Sequence, residues 1–414
     1  HGETEVSLSI SMHYNRWAWA VAYVMVPLVM LEPQGRSMPA LDGILIGLCM
    51  AALALTKATY AVSLAPVILI GLIARRWWRA IFWAALAGLA VMAVVTLLAG
   101  PQIWGAYLGD LLTVARSDVR PQPGKSLAAV ATNPAYLAGT ITLLAAIVFL
   151  RQSERMAEGM MLLLLAPGVI YITYQNFGND PQWLVLLAML AATLRPAAGV
   201  INGFGWDMRK ALGMAALSAL AFGLPSVINL TYSPVRLLGA ETEKTVPLTK
   251  VRPELADILT PQDRIYGVLE IHDGDGPDSE FAEFASYSDR SREIATLNGE
   301  TLPYCEMMSG TTAWSETVAA DLVAAGYGGK RIVATDVFAN FWLYGPFPPV
   351  KRAAPWYYDD LSGFENADYI LVPLCAVSLG IRADVVKTLN ERNITLTEVR
   401  RTPLYLLMTA KSAS

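Results

Sequence analysis

Apolar residues run almost unbroken through eight stretches of the first half of the chain, at about 16–31, 40–56, 58–74, 80–99, 135–150, 159–174, 182–194 and 211–229. The hydrocarbon core of a bilayer takes about 20 apolar residues per helix, so each stretch is expected to be a membrane span. After Thr231 the pattern changes. Apolar and polar positions alternate in "DRIYGVLE" at 263–270, "KRIVATDVF" at 330–338, "ADYILVPLC" at 367–375 and "LYLLMTA" at 404–410, the period of half-buried strands. Between the last two, Val385, Val386 and Leu389 fall at helical spacing within 382–392. The expected organisation is an α-helical polytopic membrane protein of about eight transmembrane helices in residues 1–230, a Pro-punctuated linker at 231–261, and a C-terminal soluble α/β domain at 262–414.

Composition agrees with that division. Hydrophobic residues make up 54% of the chain and charged ones 16%, well below the roughly 25% charged residues of soluble domains. Residues 1–229 carry a net charge of +4 and residues 230–414 one of −8. Basic residues near span ends collect on the cytoplasmic face. Arg36, Arg75, Arg76, Arg79, Arg151, Arg155, Arg195, Arg209 and Lys210 would then lie inside, against Arg16, Lys57, Arg116, Arg120 and Lys125 outside. On this orientation the C-terminal domain is extracytoplasmic, and the expected location is a bacterial inner membrane. The chain opens on "HGETEVSLSI", without an initiator Met or a cleavable signal peptide, so residues upstream of His1 are expected in the whole protein.

Candidate chemistry gathers on the outer side. "SMHYNRWAWA" places His13, Asn15 and Arg16 just before the first span, either as the polar edge of an aromatic belt or as part of a site facing a sugar or phosphate. "LTKATY" places Lys57 and Tyr60 at a tight turn between two spans, where the ammonium either snorkels to the surface or meets a lipid phosphate. "YQNFGNDPQW" interrupts an apolar run with a turn in which Asp180, before Pro181, can cap the next helix. That role leaves Asn176 and Asn179 over, and amides among aromatic rings suit a carbohydrate or head group. The loop at 101–134 opens on an amphipathic stretch, with Ile103, Tyr107, Leu111 and Val114 on one face, suited to the membrane interface.

Other motifs are excluded or left open. "HDGDGPDSE" at 272–280 lacks the EF-hand glycine, and no HExxH, GxSxG, P-loop or paired CxxC occurs, so no metal site is expected. Cys305 and Cys375 are either a disulfide or two separate thiols.

"MHYNRWAWA", "LTKATY" and "NFGNDPQW", together with many spans and an outer α/β domain, resemble the polytopic GT-C glycosyltransferases, in particular the bacterial mannosyl and arabinosyl transferase type. The resemblance covers about residues 11–230. It implies transfer of a sugar from a polyprenyl-phosphate carrier to a glycan or lipid acceptor on the outer face, with membrane lipid as a further partner, no nucleic acid, and a divalent cation as the one conceivable cofactor. It implies a catalytic acid in the first outer loop, acting as general base. Glu3 and Glu5 are the only acids before the first span, so the base is expected upstream of His1 and no catalytic residue is assigned. A non-catalytic accessory subunit that holds a partner through the outer domain is the alternative. A transporter fits less well, because the spans carry almost no ionisable residue.

Overall fold

The computed structural model describes residues 13–33, 35–116, 126–176, 181–239, 242–274, 279–287, 294–353, 361 and 363–411. They divide into two compact units, one within 1–108 and 122–239, the other within 109–121 and 240–414.

The first unit is helical, with α1 His13–Met30, α2 Pro39–Thr56, α3 Ala58–Ala74, α4 Trp78–Ala99, the start of α5 Gln102–Arg116, α6 Leu127–Ala131, α7 Pro134–Gln152, α8 Met156–Gln175, α9 Trp183–Thr193 and α10 Met208–Leu238. Among the described residues five helices are long and apolar enough to cross a membrane: α2, α4, α7, α8 and the 208–228 part of α10. The expected count of eight spans is not confirmed. At 11 residues, α9 rises only about 16 Å; α3 is apolar but short at 17, and α1 opens on the polar "HYNR".

The outward face of this unit is apolar, as the face of a membrane span is. Just 6% of the apolar window of α4 is buried, and Leu97 and Leu98 are more than four-fifths exposed. Because lipid tails are as apolar as the helices, helix association depends on close approach of small residues. Gly43 and Gly47, one turn apart on α2, provide it. A Cβ on either would lie 2.4 Å or 2.2 Å from the carbonyl oxygens of Ala80 and Ala84 on α4. Gly168 of α8 meets the Ser63 carbonyl of α3 in the same way, its hypothetical Cβ 2.5 Å away.

Helix direction sorts the polar groups. At one end Arg75 donates to the carbonyls of Met30 and Leu31 at the end of α1, both at 2.7 Å, Arg155 to that of Leu194 after α9 at 2.8 Å, and Arg209 to that of Pro196 at 2.9 Å. Guanidinium groups thereby satisfy carbonyls that a helix end leaves without partners. The α2–α3 junction at 57–58, the end of α8 at Asn176 and the start of α9 at Trp183 lie at the opposite end, reached by running each helix the other way.

The stretch at 231–261 is not a plain linker. It contains the last turns of α10, and β1 Thr245–Pro247 pairs antiparallel with β2 Leu259–Pro261. Next comes α11, Gln262–Tyr266, where a strand was expected. Asp263 in its first turn favours the helix N-terminus, and Gly267 closes it by donating to the Asp263 carbonyl at 2.9 Å. Only β3, Leu269–His272, is extended.

The remaining elements are β4 Thr296–Leu297, β5 Glu300–Thr301, β6 Cys305–Ser309, α12 Thr311–Ala324, β7 Ile332–Ala334, β8 Tyr369–Pro373, α13 Leu379–Glu391, β9 Thr395–Arg401 and β10 Tyr405–Lys411. Four form a sheet in the order β7-β8-β10-β9, in which only the β7–β8 pair is parallel. Alternation builds two cores from one sheet. Ile370, Val372, Leu406 and Met408 pack with Val385, Val386 and Leu389 of α13; Leu371, Tyr405 and Leu407 pack with Val318 and Leu322 of α12.

Cys305 and Cys375 form a disulfide, tying β6 to the loop after β8 across a sequence separation of 70. The two alternatives left open by the sequence are thereby reduced to one.

Two outcomes are expected. Gly47→Leu forces α2 from α4 and should cost the helical unit about 1 to 3 kcal/mol, read as a lower unfolding midpoint in detergent beside an unchanged Gly88→Leu control, whose site is open. Replacing Cys305 and Cys375 together by Ser should cost the C-terminal unit about 2 to 4 kcal/mol, read as earlier denaturant-induced proteolysis.

Candidate functional site

The α2–α3 junction exists because Lys57 leaves the helix. Its backbone is extended, at φ −155° and ψ 94°, while its N–H still closes α2 on the Leu53 carbonyl at 2.7 Å and its carbonyl accepts from the Tyr60 N–H at 3.0 Å. The side chain therefore starts at the helix boundary and turns into the bundle. There its ammonium donates to Oδ1 of Asn176 and stands over the Tyr14 ring, 4.3 Å from the centroid. Such a cation–ring contact is stronger where water is excluded.

Asn176 follows the last turn of α8, its backbone N–H directed at Ile172 and Thr173. Its Nδ2 also donates to the Ile172 carbonyl, at 2.7 Å, which turns Oδ1 toward Lys57. An ammonium has three donors, and Asn176 takes one. No other acceptor is within reach among the described residues, leaving two N–H groups for a ligand oxygen. Burial pushes the ammonium down, to about 8, so an anion that restores its pairing would be favoured.

Below Lys57 the helix ends are held by aromatic residues. Trp19 meets Tyr60 edge-on at 5.3 Å between centroids and Tyr23 at 6.2 Å, and the Tyr23 hydroxyl donates to the Gln182 carbonyl at 2.6 Å. Trp19, Tyr60, Asn176, Gln182 and Trp183 line a small cavity of about 10 Å³.

The structure thus joins Lys57 directly to Asn176 and places Tyr60 one turn below, fully buried. Asn15 is buried beside Tyr14, and Arg16 is half-buried at the same end of α1. His13 begins α1, but its side chain lies outside the described residues, as do Asn179 and Asp180. Tyr14, Tyr23 and Gln182 escaped the sequence reading. The signal was present in the i, i+4 spacing of Asn15, Trp19 and Tyr23, which marks one inward helix face, whereas Trp17 points outward and is 64% exposed.

The interfacial reading of the 101–134 loop corresponds to α5, on which no residue is buried. Its Tyr107 hydroxyl donates to the Ala54 carbonyl, and Trp104 Nε1 to Thr96 Oγ1 at 2.8 Å.

In the C-terminal unit the buried polar groups serve the fold. Asp336 accepts from the backbone N–H groups of Val337, Val377 and Ser378 at 2.7, 2.6 and 3.1 Å. Burial pushes its carboxyl up to about 6, against the pull of those donors and of Arg382. Arg382, fully buried, donates to the carbonyls of Pro303, Pro373 and Leu374. Glu270, Cys305 and Cys375 bring possible ligand atoms within 4.8 Å of one another, but the disulfide consumes both thiolates a metal would require.

Compared with protein-family models, with curated proteins and with solved structures, the chain matches none.

Proposed function

We propose that the protein is a membrane glycosyltransferase that takes a sugar from a polyprenyl-phosphate carrier and passes it to a glycan or lipid acceptor at the outer face of a bacterial inner membrane. The observation that carries the reading is Lys57, a partly desolvated ammonium at a helix boundary that has, among the described residues, one amide acceptor, one aromatic face and two N–H groups to spare. A phosphate oxygen fits such a group, since a charge-assisted hydrogen bond gains strength where the dielectric is low. As the glycosidic bond to phosphate breaks, negative charge grows on the departing oxygen, and a fixed ammonium stabilises it.

Two observations support the extracytoplasmic placement. Disulfides persist in oxidising compartments, and Cys305 is joined to Cys375. The Arg-rich helix ends lie opposite Lys57, as expected for a cytoplasmic face. The general base is unassigned.

Lys57→Ala should lower transfer from labelled polyprenyl-phosphate sugar in membranes by about ten- to a hundredfold, the equivalent of about 1.5 to 3 kcal/mol, with the bundle still folded. The carrier is a phosphodiester of constant charge, so pH acts through the protein. As pH rises through about 8 Lys57 loses its proton, and carrier affinity should fall in the wild type but stay flat in Lys57→Ala. Normal transfer by Lys57→Ala would discard the donor site and favour the accessory subunit.

A further inference from the structure

Two buried polar side chains at the Lys57 end have no hydrogen-bond partner among the described residues. They are the amide of Asn15, at both its oxygen and its nitrogen, and the indole Nε1 of Trp183. Each of the two residues is only 3% exposed. Leaving a buried donor or acceptor unmet costs about 1 to 3 kcal/mol, so such groups point to something that meets them.

Their surroundings define what that is. Asn15 prolongs the buried stripe of Ala18, Trp19 and Ala22 on α1 by one turn, toward the end where Tyr14 carries Lys57. Trp19, four residues on, lines the cavity of about 10 Å³ together with Trp183. That volume is on the order of one water or one hydroxyl. Among the described residues no Asp, Glu, Lys, Arg or His lines it, and a polar, uncharged occupant fits that lining. An amide presents a donor and an acceptor side by side, the match for a hydroxyl that both gives and takes a hydrogen bond.

We propose that this cavity receives one hydroxyl of the sugar carried on the lipid phosphate, with Trp183 donating to it and Asn15 pairing with a neighbouring hydroxyl at the rim. Asn15 and Trp183 are then the residues that select the sugar, while Lys57 holds the phosphate. The inference rests on the lipid-phosphate reading and adds to it. A site built to hydrogen-bond a hydroxyl discriminates strongly against a ligand that lacks it, because its own polar groups are then left unpaired.

The test measures binding of undecaprenyl phosphate and its mannosyl, glucosyl and arabinofuranosyl derivatives to the 414-residue chain in lipid nanodiscs. In the wild type at least one glycosylated carrier should bind ten or more times as tightly as the bare carrier. Asn15→Leu and Trp183→Phe should each bring that ratio close to one, whereas Lys57→Ala should weaken every carrier and keep the ratio. Trp183→Phe retains an aromatic ring and carries the test should Asn15→Leu fail to insert. Equal binding of all four carriers by the wild type, weakened by Lys57→Ala, would overturn the sugar pocket and leave the phosphate site standing. So would an unchanged ratio in both variants. Binding of no carrier by the wild type would remove the phosphate site, and the sugar pocket with it.

Discussion

The site depends on how closely α3 and α8 approach. Gly168 lets the Ser63 carbonyl come to where a side chain would otherwise stand. Lys57 lies six residues above that contact on α3 and Asn176 eight residues above it on α8, about 9 and 12 Å along their axes. Two helices pinned at one point carry their ends to a fixed separation, and here that separation is spanned by the Lys57 to Asn176 hydrogen bond. In lipid the pinning comes from backbone approach rather than from expulsion of water. The same device recurs between α2 and α4, where Gly43 and Gly47 meet Ala80 and Ala84.

Electrostatics at this end follow from packing. A lysine on a surface turn would be hydrated and screened, whereas Lys57 is directed inward over Tyr14 and loses water without gaining a carboxylate among the described residues. The downward shift of its ammonium has that single cause. In the C-terminal unit Asp336 and Arg382 are buried with several backbone partners each, the arrangement of groups that hold loops in place. In the helical unit the Asn15 amide and the Trp183 indole N–H are buried without a partner among the described residues.

Much of the helical unit was legible because apolar runs set helix length, and α2 and α3 meet at Lys57 as the sequence indicates. Span number was less so, since an apolar run such as 182–194 reports burial without showing whether the helix crosses the bilayer. In the C-terminal unit β8, β10 and α13 follow from periodicity, but "DRIYGVLE" misleads. Its alternation is real, yet Pro261 and Asp263 favour a helical turn and Gly267 ends it. β9, with its mixed "TLTEVRR" pattern, is defined by pairing with β10 and was not apparent. At the site, sequence indicated the residue types and not their pairing: nothing in a separation of 119 residues shows that Lys57 meets Asn176.

The central claim is that Lys57 and Asn176 act as one unit in holding a lipid phosphate. A double-mutant cycle tests it most directly, with affinity for a polyprenyl-phosphate sugar measured in nanodiscs for the wild type, Lys57→Met, Asn176→Leu and the double variant. If Asn176 serves by positioning the ammonium, the double variant should bind no worse than Lys57→Met alone, a coupling of about 0.5 to 3 kcal/mol. Strictly additive losses, or no loss in Lys57→Met, would contradict the account.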